Sequence, residues 1–103
     1  MTKKQQQRYD EMMMDYNLRG TLTPGIKSLI YTLACVEIEE EELQEFIDEH
    51  GTCYSAPSGF DKQRPQWQQL RDNRQRKTTI VKALESQLNQ ATEEDELESF
   101  INA

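Results

Sequence analysis

Apolar residues recur along the first half of the chain with a helical period. Tyr9, Met12, Met13 and Tyr16 stand at i, i+3, i+4 and i+7, which places them on one face of a helix over residues 3 to 18. Gly20 ends that pattern. Thr23 then offers a capping hydroxyl, and Pro24 sits where a helix tolerates a missing N–H. Behind them Ile26, Leu29, Ile30, Leu33, Val36, Leu43, Phe46 and Ile47 carry a second stripe as far as His50, with Gly51 as the stop. At about 1.5 Å per residue this second helix is roughly 40 Å long.

Residues 51 to 60, GTCYSAPSGF, are punctuated by Gly, Pro and Ser and read as a turn or short β-hairpin. Pro65 opens a third helix through Trp67, Leu70, Ile80, Val81, Leu84 and Leu88, expected to end near Asn89. Thr92 followed by Asp95 resembles a capping box, so Leu97, Phe100 and Ile101 would form the apolar stripe of a short fourth helix. Folding the second and third helices antiparallel about residue 57 pairs Ile26 with Leu88, Ile30 with Leu84, Leu33 with Val81, Leu43 with Leu70, and Phe46 or Ile47 with Trp67. The pattern therefore predicts an all-α fold. It consists of a long antiparallel helical hairpin, an N-terminal helix, a short C-terminal helix, and a turn or small β-hairpin between the long arms. Residues 1 to 90 would form the helical domain and 91 to 103 an acidic tail or short helix.

Composition adds an expectation of self-association. Only 35% of the 103 residues are apolar and 30% are charged, which leaves a monomer little material for a core. Such a chain either stays partly disordered or packs its helices against a partner or other copies of itself, and the favoured expectation is a homo-oligomer. No run approaches the roughly 20 apolar residues of a membrane span, and the start, MTKKQQQRYD, lacks the apolar stretch of a signal peptide. A soluble, intracellular protein is expected. Cys35 and Cys53 form no CxxC pair, so reduced thiols are the default.

Charge changes the picture again. The chain carries a formal net charge of −7, yet residues 1 to 20 sum to +1, 21 to 60 to −7, 61 to 82 to +5 and 83 to 103 to −6. The whole-molecule field repels phosphate, but Arg64, Arg71, Arg74, Arg76 and Lys77 are candidates to contact phosphates or guanine edges. Arg64, Arg71 and Arg74 share roughly one side of the helix, and Arg76 and Lys77 rotate off it. The competing structural account is that these cations pair with Glu37 to Glu49, which the hairpin register brings alongside. Repetition of two or three unpaired arginines around an oligomer would still make a basic track. Lys3, Lys4 and Arg8 form a second, looser basic patch on the N-terminal helix.

Other chemistry has weaker signals. Trp67 either stacks on a base or, opposite Phe46, packs in the core, which is its ordinary fate. The methionines at 12 to 14 suit an adaptable interface or plain helix packing. The acidic run Glu37, Glu39, Glu40, Glu41 and Glu42 points in several directions and reads as a solvated face rather than a metal site. His50 and Cys53 are close in sequence, but nothing else of a nucleophilic site surrounds them. There is no GxxxxGK[ST] phosphate loop and no glycine-rich dinucleotide loop. The chain is expected to be no enzyme, with no cofactor, metal or catalytic residue.

Three stretches together resemble a known family: LRGTLTPGIKSLIYTLA at 18 to 34, the acidic helix ending EFIDEHG at 45 to 51, and YSAPSGFDKQRPQWQQLRDNRQRKTTIVKAL at 54 to 84. Their order is similar to that in the small terminase subunits of cohesive-end tailed phages. There a helix closes on glycine, a Pro-Ser/Asn-Gly turn follows, and a basic segment ending in proline opens a long helix. Here these are Gly51, Pro57-Ser58-Gly59 and Lys62-Gln63-Arg64-Pro65, within a likeness over residues 8 to 88. The polar tail LNQATEEDELESFINA at 88 to 103 departs from the family pattern. The resemblance implies an oligomeric, usually ring-shaped, non-catalytic protein of the host cytoplasm. It would recognise viral double-stranded DNA at the packaging start and cooperate with a large subunit that holds the ATPase and nuclease activities. Leu97, Phe100 and Ile101 would then dock on the large subunit or on a neighbouring small one. The alternative is an acidic helical adaptor that binds only proteins. In a third arrangement, the N-terminal helix carries the DNA contact.

Overall fold

A computed structural model describes the backbone over residues 2 to 102 and the side chains of residues 2 to 90. The chain runs α1 (Lys3–Asn17), α2 (Pro24–His50), β1 (Cys53–Ser55), β2 (Asp61–Gln63) and α3 (Pro65–Asn102). Thr2 opens α1 in a reciprocal capping box with Gln5. Thr23 caps α2 by accepting from the Ile26 N–H at 3.2 Å, and Pro24 occupies the first turn. At the other end of α2, the Gly51 N–H donates to the Ile47 carbonyl with φ at 82°.

α2 and α3 form the long antiparallel hairpin that the apolar pattern predicts. Ile26, Ile30, Leu33, Leu84 and Leu88 make one buried cluster, with Val81 packed against it. Leu70 and Ile47 are buried nearer the tip, while Leu43, Phe46 and Trp67 are half-buried. Each fully buried Leu or Ile contributes about 1.5 to 3 kcal/mol of transfer free energy, so this seam outweighs any single surface ion pair. Asn73 is the one buried polar side chain of the seam among the described residues. Its Nδ2 donates to the Val36 carbonyl at 2.9 Å, and its Oδ1 has no hydrogen-bond partner. An asymmetric polar contact of this kind fixes how far one helix can slide along the other, since slippage would strand a second polar atom.

α1 lies along α2 on a different side from α3 and buries none of its own residues fully. Tyr9, Met12, Met13 and Tyr16 pack on the core cluster as their spacing predicts, and Tyr9 meets Tyr31 edge-on with ring centroids 6.0 Å apart. Burial pushes the Tyr16 phenol up from its ordinary value.

The tip is a β-hairpin, with Cys53, Tyr54 and Ser55 opposite Gln63, Lys62 and Asp61. The second strand is therefore part of the segment that reads as a basic lead-in to α3. Pro57 and Ser58 form the turn closed by the Gly59 N–H to the Ala56 carbonyl at 2.9 Å, and the Ala56 N–H reaches the Phe60 carbonyl at 3.1 Å. Gly59 sits at φ 83° with open space where a Cβ would stand. The Cβ of a valine there has open space, but the residue must hold a left-handed backbone, at a cost of about 1 to 2 kcal/mol. Gly59→Val is expected to speed amide exchange at Ala56 by about tenfold while leaving exchange in the α2/α3 seam unchanged.

The structure corrects one element. No stop occurs near Asn89 and no separate fourth helix starts at Thr92, because α3 continues to Asn102. A cap at Thr92 needs a non-helical backbone just there, whereas Leu88 to Ala91 contains neither glycine nor proline and propagation costs little. The division between residues 90 and 91 thus falls inside a helix. Leu97, Phe100 and Ile101 lie outside the residues whose side chains are described.

The result is a rod of 73 × 25 × 16 Å with a radius of gyration of 19.1 Å, against about 13 Å for a compact globule of this length. Among the described residues no helix is long and apolar enough to cross a membrane.

Candidate nucleic-acid interface on the third helix

The phase of α3 sorts its cations into three directions. At about 100° per residue, Leu70, Asn73 and Leu84 define the side turned to α2. Roughly opposite them Gln68, Arg71, Gln75, Thr78 and Lys82 make one continuous exposed row. Arg71 and Lys82 are about 16 Å apart along the helix axis. Neither is paired with a carboxylate among the described residues. The Arg71 guanidinium lies 5.7 Å from the Trp67 ring and bonds the Gln68 side chain, which holds it extended along the surface.

The remaining candidates are occupied or turned elsewhere. Arg74 faces α2, where it bonds the Gln44 amide and stands 3.7 Å from Glu40. Lys77 approaches the other oxygen of Glu40, also at 3.7 Å. Arg64 stands between two rings, 5.9 Å from Phe46 and 5.7 Å from Tyr54. Its Nε is buried without a hydrogen-bond partner, while its backbone N–H donates to the Thr52 carbonyl at 2.8 Å. Arg64 thus ties the β-hairpin to the end of α2. Arg76 is exposed on the flank away from α1, with no partner among the described residues. Arg64, Arg71 and Arg74 consequently do not act as one side: one is clasped by aromatics, one faces solvent and one faces the acidic helix.

Acidic residues divide in the same way. Glu40 serves α3, while Glu37 and Glu41 serve Arg8 of α1, the first at 3.4 Å. The hydrogen bond that Arg8 donates to the Glu41 carboxylate raises the Arg8 guanidinium above its ordinary value. Glu39 and Glu42 are exposed. Arg8 is thereby spent on packing α1, and Arg19 is held by Glu85, which raises it likewise, with its guanidinium 5.2 Å from the Tyr16 ring. These half-exposed pairs contribute about 0 to 1 kcal/mol each; their larger effect is to decide which cations remain available.

The residues with weaker signals stand in ordinary surroundings. His50 rests on Phe46 with ring centroids 4.4 Å apart and lies 3.7 Å from Glu49. The neighbour of Cys53 is the Thr52 hydroxyl at 3.8 Å. Both cysteines are free thiols. Among the described residues no group of three or more His, Cys, Asp or Glu could hold a metal ion.

Lys82 is the residue that sequence reasoning passed over. Its signal was available, because a residue eleven positions after Arg71 returns to nearly the same side of a helix, whereas Arg74 and Lys77 do not. Asn73 was passed over too, and nothing in the pattern marks it as buried. The chain matches no family model, no curated protein and no solved structure.

Proposed function

We propose that the chain is the small, non-catalytic subunit of a phage terminase, which binds viral DNA at the packaging start and hands it to the large ATPase and nuclease subunit in the host cytoplasm. The observation that carries the DNA-binding part of this reading is the exposed row Gln68, Arg71, Gln75, Thr78 and Lys82. A major groove is about 12 Å wide. Two cations about 16 Å apart suit phosphates on either side of such a groove, with the Gln75 amide between them as a donor and acceptor for base edges. Assignment to a terminase rests on the resemblance of residues 8 to 88. Self-association would repeat the row in every copy and so build a local basic track although each copy carries a net charge of −7.

The adaptor reading draws on a specific observation too: Arg8, Arg19, Arg74 and Lys77 all face glutamates. It would require the exposed row to have no ligand. The N-terminal alternative loses its strongest cation, since Arg8 is engaged with Glu37 and Glu41.

Purified protein mixed with DNA containing the packaging site is expected to shift that DNA at low salt, with affinity falling steeply as salt rises, and to sediment as an oligomer. A chain that stays monomeric and never shifts the DNA, even with the large subunit present, overturns the reading. DNA binding abolished by deleting residues 1 to 8, with the α3 row intact, would transfer the contact to α1.

A further inference from the structure

Two exposed surfaces on opposite flanks of the hairpin complement each other. The first is an open groove of about 560 Å³ lined by Thr32, Asp72, Arg76, Thr79 and Ile80, with Gln75 at the edge where it borders the exposed row. Thr32 stands on the side of α2 away from Ala34 and Ile38, the buried residues on the α1 side. The Thr32 hydroxyl donates to the Ser28 carbonyl at 3.1 Å and the Thr79 hydroxyl to the Gln75 carbonyl at 3.2 Å. With the hydroxyls so engaged, both threonines contribute methyl groups beside the half-buried Ile80. Arg76 stands exposed one turn from Ile80.

The second surface is the outer face of α1. Gln7, Glu11, Met14 and Leu18 follow one another at steps of four, three and four residues, the side opposite the Tyr9, Met12, Met13 and Tyr16 stripe. Met14 is 73% exposed and Leu18, the C-cap of α1, 88% exposed, so the outer side carries an apolar edge at the C-terminal end of this helix. Glu11, one turn before Met14, is exposed; its carboxylate accepts from the Gln7 amide at 3.4 Å, and it borders a shallow pocket at the α1/α2 edge within electrostatic reach of Arg8.

We propose that these surfaces meet between copies of the chain: the Met14 and Leu18 edge of one copy seats on the Thr32 and Ile80 groove of the next, with Glu11 against Arg76. On each side the charge and the apolar contact are one helical turn apart, so a single register satisfies both. A flank of the 73 × 25 Å rod can supply the roughly 800 Å² per partner of a standard interface. Because the two surfaces lie on opposite flanks, the contact is heterologous, and copies add head to tail until the rotation closes. The inference rests on the homo-oligomer of the proposed function and names its interface.

Light scattering across a concentration series tests it on the full chain, with circular dichroism to check helicity and DNA binding measured in parallel. Arg76→Glu and Glu11→Arg are each expected to weaken assembly at least about tenfold, Met14→Ser by a similar factor without any charge change, and the double reversal Arg76→Glu with Glu11→Arg to restore it. A monomeric wild-type chain overturns the interface. So does dissociation without rescue in the double variant, which would place the two residues in different contacts. Unchanged mass with lost DNA binding in Arg76→Glu also overturns it and assigns Arg76 to DNA. An assembly that depends on the Glu11–Arg76 pair but binds no DNA keeps this interface and overturns only the terminase reading.

Discussion

Replacing Arg71 and Lys82 together with glutamate is expected to lower affinity for viral DNA by more than about 100-fold while leaving helicity and solution mass unchanged. Both side chains are exposed, and neither is paired with a carboxylate among the described residues, so their loss strands no buried group and the fold has little stake in them. The effect on DNA is of a different order. Each lost phosphate contact removes about 0.9 from the slope of log affinity against log salt, and each glutamate adds repulsion where attraction stood. An oligomer multiplies both effects by its copy number. Anisotropy of labelled DNA at several salt concentrations reads the affinity and the slope together, with a flattening of about two in the slope expected if one contact per substituted residue is engaged in a single subunit. Unaltered affinity would remove the α3 row as the interface and favour the adaptor reading. Arg64→Glu and Arg74→Glu are poorer probes than the sequence suggests, because one loosens the hairpin tip and the other places a second acid beside Glu40 and strands the Gln44 amide.

The largest loss of stability is expected from Leu84→Ala. Leu84 is completely buried in the cluster with Ile26, Ile30, Leu33 and Leu88, the largest cluster of the seam that holds the two long helices together, towards its open end. Truncation removes the transfer free energy of the side chain and leaves a cavity, about 2 to 5 kcal/mol in all. Against a total of about 5 to 15 kcal/mol for a domain, that loss takes much of the folding free energy. Urea unfolding followed by circular dichroism should show a midpoint well below that of the unsubstituted chain, compared at a protein concentration where both have the same mass. Lys82→Glu, two residues away on the opposite side of α3, should stay within about 0.5 kcal/mol. Equal effects from the two substitutions would show that the α2/α3 seam is not what holds the fold.

Several features were legible in the residues because each rests on local chemistry. Thr23 and Pro24 start α2, Gly51 stops it, Pro57 to Gly59 turn the chain and Pro65 restarts it; each acts through its own φ preference or side-chain donor set. The pairing of Ile26 with Leu88 and Ile30 with Leu84 was equally legible, since a short turn between two long apolar stripes leaves an antiparallel hairpin few registers that bury both. The end of α3 was misplaced for the opposite reason. Thr92 has the chemistry of a cap, but a cap acts only where the backbone leaves the helix, and nothing around Asn89 obliges it to.

What the sequence determined by itself was the hairpin, its turn and the packed face of α1, along with a segregation of acid and base too strong to be incidental. The fate of each cation, by contrast, is fixed only once the helices are packed. Arg64, Arg71, Arg74, Arg76 and Lys77 are alike in composition and close in number, yet rotation about the α3 axis and the position of Glu40, Phe46 and Tyr54 on other elements send them to different surroundings. Charge is a property of the residue, but its availability depends on what lies within about 4 Å, and for Arg64, Arg74 and Lys77 those neighbours come from other elements of the fold.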